Sequence, residues 1–205
     1  MAQLIEHQLF VTSCYVTYLT DIDNLKISEQ ALYHESNSTN NERSNKGGFQ
    51  TTPIFSHEID SPEVLKLFQK HICPAAQKVA DSWNLIKDMD TYSFWYNVNR
   101  RYNYNTAHTH PHSFISGVYY SKVPSNSGLI TFDRAQSEID RLQFQQTHIL
   151  STGVTPDNSR INTEHWFTPT EGMLILFPGH LSHAVDQNLT QDHNDARVSL
   201  SFNFF

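Results

Sequence analysis

The clearest hydrophobic pattern lies near the C-terminus. In Arg197–Phe204, Val198, Leu200 and Phe202 alternate with Arg197, Ser199 and Ser201. Successive side chains of a strand point to opposite faces, so this segment predicts a strand with one apolar and one polar face. Similar runs predict strands at 91–101, 114–122, 129–132, 139–150, 161–167, 173–177 and 183–187. Between them, 124–128 reads as a turn, and 102–106 and 151–160 read as polar loops. The first part of the chain differs. Residues 8–19 are β-branched and aromatic and predict an entry strand, and Asp21 or Asp23 can cap a helix running to about Tyr33. Ser36–Gly48 is Asn- and Ser-rich and reads as a mobile loop. Ser61-Pro62-Glu63 is a helix start, followed by a stripe of Val64, Leu65, Leu67, Phe68 and Ile72, with Pro74 expected to kink or split the helix.

Many short strands after a helical start predict a mainly β protein, one jelly-roll-like barrel with helices packed outside it. With 205 residues and no internal repeat, a single domain is expected. Residues 1–90 would supply strand, helices and loop, and 91–205 the barrel.

Charge narrows the function. Fourteen basic against 21 acidic residues leave a net −7, which argues against a basic nucleic-acid interface and against adhesion to an anionic membrane. Two cysteines, Cys14 and Cys73, make no disulfide framework and are expected as buried free thiols. The absence of a signal-like start or a long apolar run makes cytoplasmic location the expectation, and Asn37-Ser-Thr39 and Asn188-Leu-Thr190 read as chance glycosylation matches.

The chemistry concentrates in three places. His108 and His110 are one residue apart on an extended segment and can face the same way. His183 follows the Pro178-Gly179 turn, which can bring it opposite the pair. Imidazole suits iron, zinc, copper and nickel. The chain has 12 histidines, so the pair alone decides little; its order with His183 and Arg197 carries the inference. His112 is expected at the rim and His180 exposed in the turn. Arg197 sits on the polar face of the last strand, and an inward guanidinium calls for a carboxylate. Asp133 and Asp186 could serve as internal partners; otherwise a dicarboxylic cosubstrate fits, with Ser199 beside it. Asn97, Asn99, Tyr102, Ser116 and Tyr120 are further candidates near the metal pair, and Trp95 is expected in the core.

These stretches, Trp95–Asn99, His108–Tyr120, Gly128–Arg134, Gly172–Pro178, His183 and Arg197–Asn203, span about 91–205. They resemble the 2-oxoglutarate/Fe(II)-dependent oxygenase superfamily and, within it, a family of oxygenases found in marine bacteria and phages. The resemblance implies a double-stranded β-helix of the cupin-like kind, two four-stranded sheets facing each other. It implies Fe(II) and 2-oxoglutarate, with O₂ consumed and succinate and CO₂ formed. His108 and His183 match the metal histidines and Arg197 the arginine of the distal carboxylate; Ser199, Asn97 and Tyr120 are expected from their strand positions as further cosubstrate contacts. His110 stands where the superfamily has Asp or Glu, so the third ligand is His110, a carboxylate such as Asp133, or water. The expected activity is dioxygenase hydroxylation of a peptide or small molecule. The rivals are a cupin-type three-histidine dioxygenase or isomerase that does not use 2-oxoglutarate, a sugar- or protein-binding jelly roll, and a nucleic-acid demethylase, which the acidic charge disfavours. Loops 36–48 and 151–160 are candidate lids, and flat exterior strands leave a homodimer open.

Overall fold

The computed structural model describes residues 12–133 and 164–205. The strand expected at 139–150, the loop at 151–160, and the starts of the segments 8–19 and 161–167 lie outside the described residues. The described residues form twelve strands: β1 Tyr15–Tyr18, β2 Asn45–Lys46, β3 Phe49–Gln50, β4 Ile54–Phe55, β5 Tyr92–Asn99, β6 Tyr104–His108, β7 Ile115–Lys122, β8 Ile130–Asp133, β9 Glu164–Phe167, β10 Met173–Pro178, β11 His183–Val185 and β12 Arg197–Phe204. The helices are α1 Asn24–Asn37, α2 Pro62–Leu67 and α3 Cys73–Ser82.

The strands form two sheets. One has seven strands in the order β1-β10-β7-β12-β5-β3, with β4 also on β5; the other has five, β2-β6-β11-β8-β9. Among the described residues no strand pair joins them, so the expected double-stranded β-helix is present there as two facing sheets without a closed barrel. The cores β10-β7-β12-β5 and β6-β11-β8-β9 are extended by β1, β3, β4 and β2 at their edges.

Alternation on the central strands divides the molecule into layers. Val198, Leu200 and Phe202 of β12 join Phe94, Tyr96 and Val98 of β5 on the outer face, under Ile27, Ala31, Val64, Leu67, Phe68 and Ile72 of the helical segments. Phe68 is the keystone, its ring centroid 4.4 Å from Tyr92 and 5.2 Å from Phe94. The inner face is split. Val118, Ile130, Phe132, Met173, Ile175 and Phe177 fill one part with a second apolar cluster, and the rest is a polar cavity.

Local signals explain the helices. Asp23 caps α1 by accepting from Lys26 N at 3.2 Å, and Ser61 caps α2 by accepting from Val64 N at 3.4 Å. The predicted disturbance at Pro74 is a π-helical turn, Phe68–Ile72, between α2 and α3. A proline lacks the N–H and crowds the carbonyl four residues earlier, and the extra residue in the turn absorbs both. Leu65, expected in the buried stripe, is only half-buried. Segment 36–48 is not all loop: α1 runs through Asn37, and β2 pairs Asn45 and Lys46 with β6. Likewise Tyr104–Thr106, expected in a loop, belongs to β6, whose half-wet side chains give no hydrophobic signal. Cys14 and Cys73 are free and half-buried, and burial pushes both thiols up to about 11. No helix among the described residues is long and apolar enough to cross a membrane.

Gly117 on β7 faces Phe202 across the β7–β12 pair. A methyl there would lie 2.3 Å from the Phe202 ring and 2.5 Å from the Ile175 carbonyl. Gly117→Ala is therefore expected to destabilise the fold by about 1–3 kcal/mol, the usual cost of overpacking, read as a lower urea midpoint. An unchanged midpoint contradicts this packing.

Candidate metal centre

His183 opens β11, and its backbone is in register with His108 at the end of β6 on one side and Phe132 of β8 on the other. His110 lies two residues beyond β6. Its N–H donates to the Gly179 carbonyl at 2.7 Å, and a turn closed by Ser113 N to His110 O (3.3 Å) sends the chain into β7. Gly179 is required at that contact, because a Cβ would sit 2.3 Å from the Ser113 carbonyl. Two turns, one after each strand, thus clamp His110 beside the other two rings.

The three imidazoles converge. Each offers a ring nitrogen, and these nitrogens lie within 4.8 Å of one another; among the described residues no carboxylate joins them. Nε2 of His110 and Nε2 of His183 are 3.2 Å apart. Two nitrogens each about 2.1 Å from a shared ion at 90–109° lie roughly 3.0–3.4 Å apart, so this spacing fits joint ligation. Nδ1 of His108 donates to the Thr106 carbonyl (2.8 Å) and Nδ1 of His183 to the Leu181 carbonyl (2.9 Å). Both bonds leave Nε2 with its lone pair. Asp133, the alternative ligand, instead accepts from Ser182 Oγ at 3.3 Å. His112 and His180 are exposed and stand apart.

Burial controls the charge. It lowers His108, takes His110 to about 3 with help from its two histidine neighbours, and takes His183 to about 4 with help from His108. The folded rings of His110 and His183 therefore stay neutral where their unfolded counterparts, titrating near 6.5, take up protons. Chelator-treated protein is expected to lose stability as pH falls below about 6.5, by up to about 1.4 kcal/mol per pH unit for each imidazole. Above that pH the contribution is flat. His110→Gln, with one buried imidazole fewer, should show a shallower slope between pH 6.5 and 4.5 in urea unfolding; an equal slope contradicts the assignment.

Arg197 lies in the same cavity and is 2 % exposed. Its Nη1 donates to the carbonyls of Ser127 and, at 3.5 Å, Asp186. The Asp186 carboxylate is not its hydrogen-bond partner, Nη2 has none among the described residues, and no carboxylate forms a salt bridge with it there. The Tyr120 hydroxyl is also buried without a partner and pushed up to about 12 by burial, with Arg197 pulling the other way. It remains a phenol at neutral pH and can donate. Ser199, Asn97 and Asn99 line the cavity as expected.

Two candidates fall outside it. Tyr102 is exposed at positive φ under the Arg101 guanidinium, and Ser116 is bonded to Asn203 Oδ1 at 2.8 Å beyond the lining. Trp95, expected in the core, lines the cavity with its ring 5.6 Å from His110. Its period-two spacing from Asn97 and Asn99 was the available signal. Ser44 and Asn105 also line it without any mark in the sequence.

Residues 93–203 match the family described as "Putative 2OG-Fe(II) oxygenase". No curated protein sequence matches the chain significantly. Solved structures with this architecture include a prolyl-4-hydroxylase from Pseudomonas putida, at 14% identity, covering 94% of this chain and 92% of that one with a TM-score of 0.59. A prolyl hydroxylase from Trichoplax adhaerens, in complex with a hypoxia inducible factor peptide fragment, has 10% identity, coverage of 94% and 83%, and a TM-score of 0.61. The epimerase SnoN, in complex with Fe3+, alpha ketoglutarate and nogalamycin RO, has 11% identity, coverage of 94% and 79%, and a TM-score of 0.56. At such identities these likenesses establish the double-stranded β-helix fold alone.

Proposed function

This chain belongs to the 2OG-Fe(II) oxygenase family, and from that premise we propose that it hydroxylates a peptide or small molecule, with iron held by His108, His110 and His183. The family's cofactors are Fe(II) and 2-oxoglutarate. Arg197 anchors the distal carboxylate of 2-oxoglutarate, with the Tyr120 hydroxyl as a second donor and Ser199 beside them.

The observation that carries this reading is the buried Arg197 with no carboxylate partner among the described residues, in one cavity with three neutral imidazoles. A desolvated guanidinium is costly until an anion reaches it. Its free Nη2 and the Tyr120 phenol are donors, which is what a carboxylate takes. The donor set also fits Fe(II): three nitrogens near one another leave coordination positions open.

Bound there, Fe(II) and 2-oxoglutarate supply the oxidising chemistry, in which O₂ is reduced while the cosubstrate loses CO₂ and becomes succinate. The chain's own residues prepare it. The Thr106 and Leu181 carbonyls fix two imidazoles with Nε2 inward. Phe177 and Phe132, 4.6 and 5.9 Å from the His183 ring, exclude water from that side. Arg197 and Tyr120 hold the cosubstrate in one orientation, leaving the space beside Trp95 for the substrate.

The three-histidine donor set favours one second reading, a cupin-type dioxygenase or isomerase that takes metal without 2-oxoglutarate. Adding 2-oxoglutarate to the Fe(II)-loaded protein under nitrogen, then admitting O₂, separates the two. The proposed activity gives a saturable visible charge-transfer absorption at one cosubstrate per chain, then succinate. Iron uptake with neither response supports the cupin reading, and no iron uptake leaves a binding jelly roll.

A further inference from the structure

Three buried polar atoms around the cavity find no partner among the described residues: Arg197 Nη2, the Tyr120 hydroxyl and Asn97 Oδ1. The first two are donors and suit a carboxylate. The third is an acceptor. Ionised 2-oxoglutarate carries carboxylate and keto oxygens but no N–H or O–H, so nothing on it can satisfy Asn97 Oδ1. Asn97 is 4% exposed, and its Nδ2 is already committed to Ser201 Oγ at 3.0 Å. Asn97 stands opposite Ser199 in the β5–β12 register, and Trp95 stands opposite Ser201, so both side chains share the cavity face near His110.

Charge points the same way. Apart from the histidines, Arg197 is the one ionisable cationic side chain among the described residues lining the cavity, and no aspartate or glutamate lines it. Once Arg197 is paired with the distal carboxylate, no described lining residue remains to neutralise a charge on the substrate.

We propose, resting on the cosubstrate reading above, that the oxidised group belongs to an uncharged substrate segment that lies against Trp95 and presents an N–H or O–H to Asn97 Oδ1. Asn97 and Trp95 are then substrate-binding residues, and Asn97 leaves the cosubstrate contacts to which its strand position assigned it. The cavity selects for a neutral hydrogen-bond donor near the reacting carbon and against carboxylates, phosphates and ammonium groups there.

The probe is N-acetylglycine N-methylamide, which has two N–H donors, compared with its fully N-methylated counterpart. Binding is followed by ligand-observed NMR on protein loaded with Mn(II) and 2-oxoglutarate under nitrogen, where relaxation of the probe protons also reports proximity to the metal. Wild type is expected to favour the donor-bearing probe by about fivefold or more, the effect of one neutral hydrogen bond. Asn97→Leu should lose that preference while its affinity for 2-oxoglutarate stays within twofold of wild type. Equal affinities for the two probes in wild type overturn the proposal, whether or not the variant folds. So does a tenfold or greater loss of 2-oxoglutarate affinity in Asn97→Leu. The probe pair and 2-oxoglutarate are also titrated separately onto the Mn(II)-loaded protein. A donor preference there without any 2-oxoglutarate binding refutes the cosubstrate reading alone; cosubstrate binding without the preference refutes this inference alone.

Discussion

Arg197→Met is expected to weaken 2-oxoglutarate binding by a hundredfold or more. A hydrogen bond to a charged group contributes about 1.5–3 kcal/mol, and a forked pair roughly twice that, which corresponds to two to four orders of magnitude. Methionine keeps most of the length and fills the site with apolar atoms. The guanidinium it replaces is 2% exposed, and the described residues give it backbone carbonyls but no counter-ion. Removing an uncompensated buried charge should therefore cost the ligand-free protein little stability. Equilibrium binding to metal-loaded protein and urea unfolding without ligand check the two halves. Affinity within threefold of wild type would mean that the carboxylate goes elsewhere and that Arg197 is structural.

The second large effect is expected at His183. It is 5% exposed, in register with His108, and its Nε2 is 3.2 Å from that of His110. His183→Ala removes the ring whose centroid lies 4.3 Å from that of His108 and 5.0 Å from that of His110. Iron content after anaerobic loading and dialysis is expected to fall from about one per chain to background, since the remaining pair, His108 and His110, comes from one short segment and loses the ligand that held the ion from the paired strand. The ring also packs on Phe177 and Phe132, so some stability is lost with it. His183→Gln retains more volume and separates the two causes. If it folds as wild type and still holds a full equivalent of iron, the triad is wrongly assigned.

Much of this arrangement could be read in the sequence because period-two alternation is strong where one face is buried. In β12, Arg197 and Ser199 turned out on the cavity face and Val198 and Leu200 under the helices, as their spacing predicts. The histidine convergence was legible from order and turn chemistry, through Pro178-Gly179 ahead of His183. What stayed hidden depends on long-range register. Nothing in Tyr104–Thr106 marks a strand, because β6 is held by β2 and β11 rather than by an apolar face. Asp186 looked like a partner for Arg197, yet it contributes its backbone carbonyl. Trp95 is buried, as its size and aromatic character predict, and its spacing from Asn97 adds that it lies on the cavity face. That no strand pair joins the two sheets among the described residues also has no local signature, since closure depends on whether distant strands meet.

The central claim is that three imidazoles share one iron. X-ray absorption of the Fe(II)-loaded protein tests it most directly, because imidazole rings give a multiple-scattering pattern that can be counted. The account predicts three rings in wild type and two in a His110→Ala variant that still retains iron. Two rings plus a carboxylate in wild type, or a pattern untouched by the loss of His110, would contradict it.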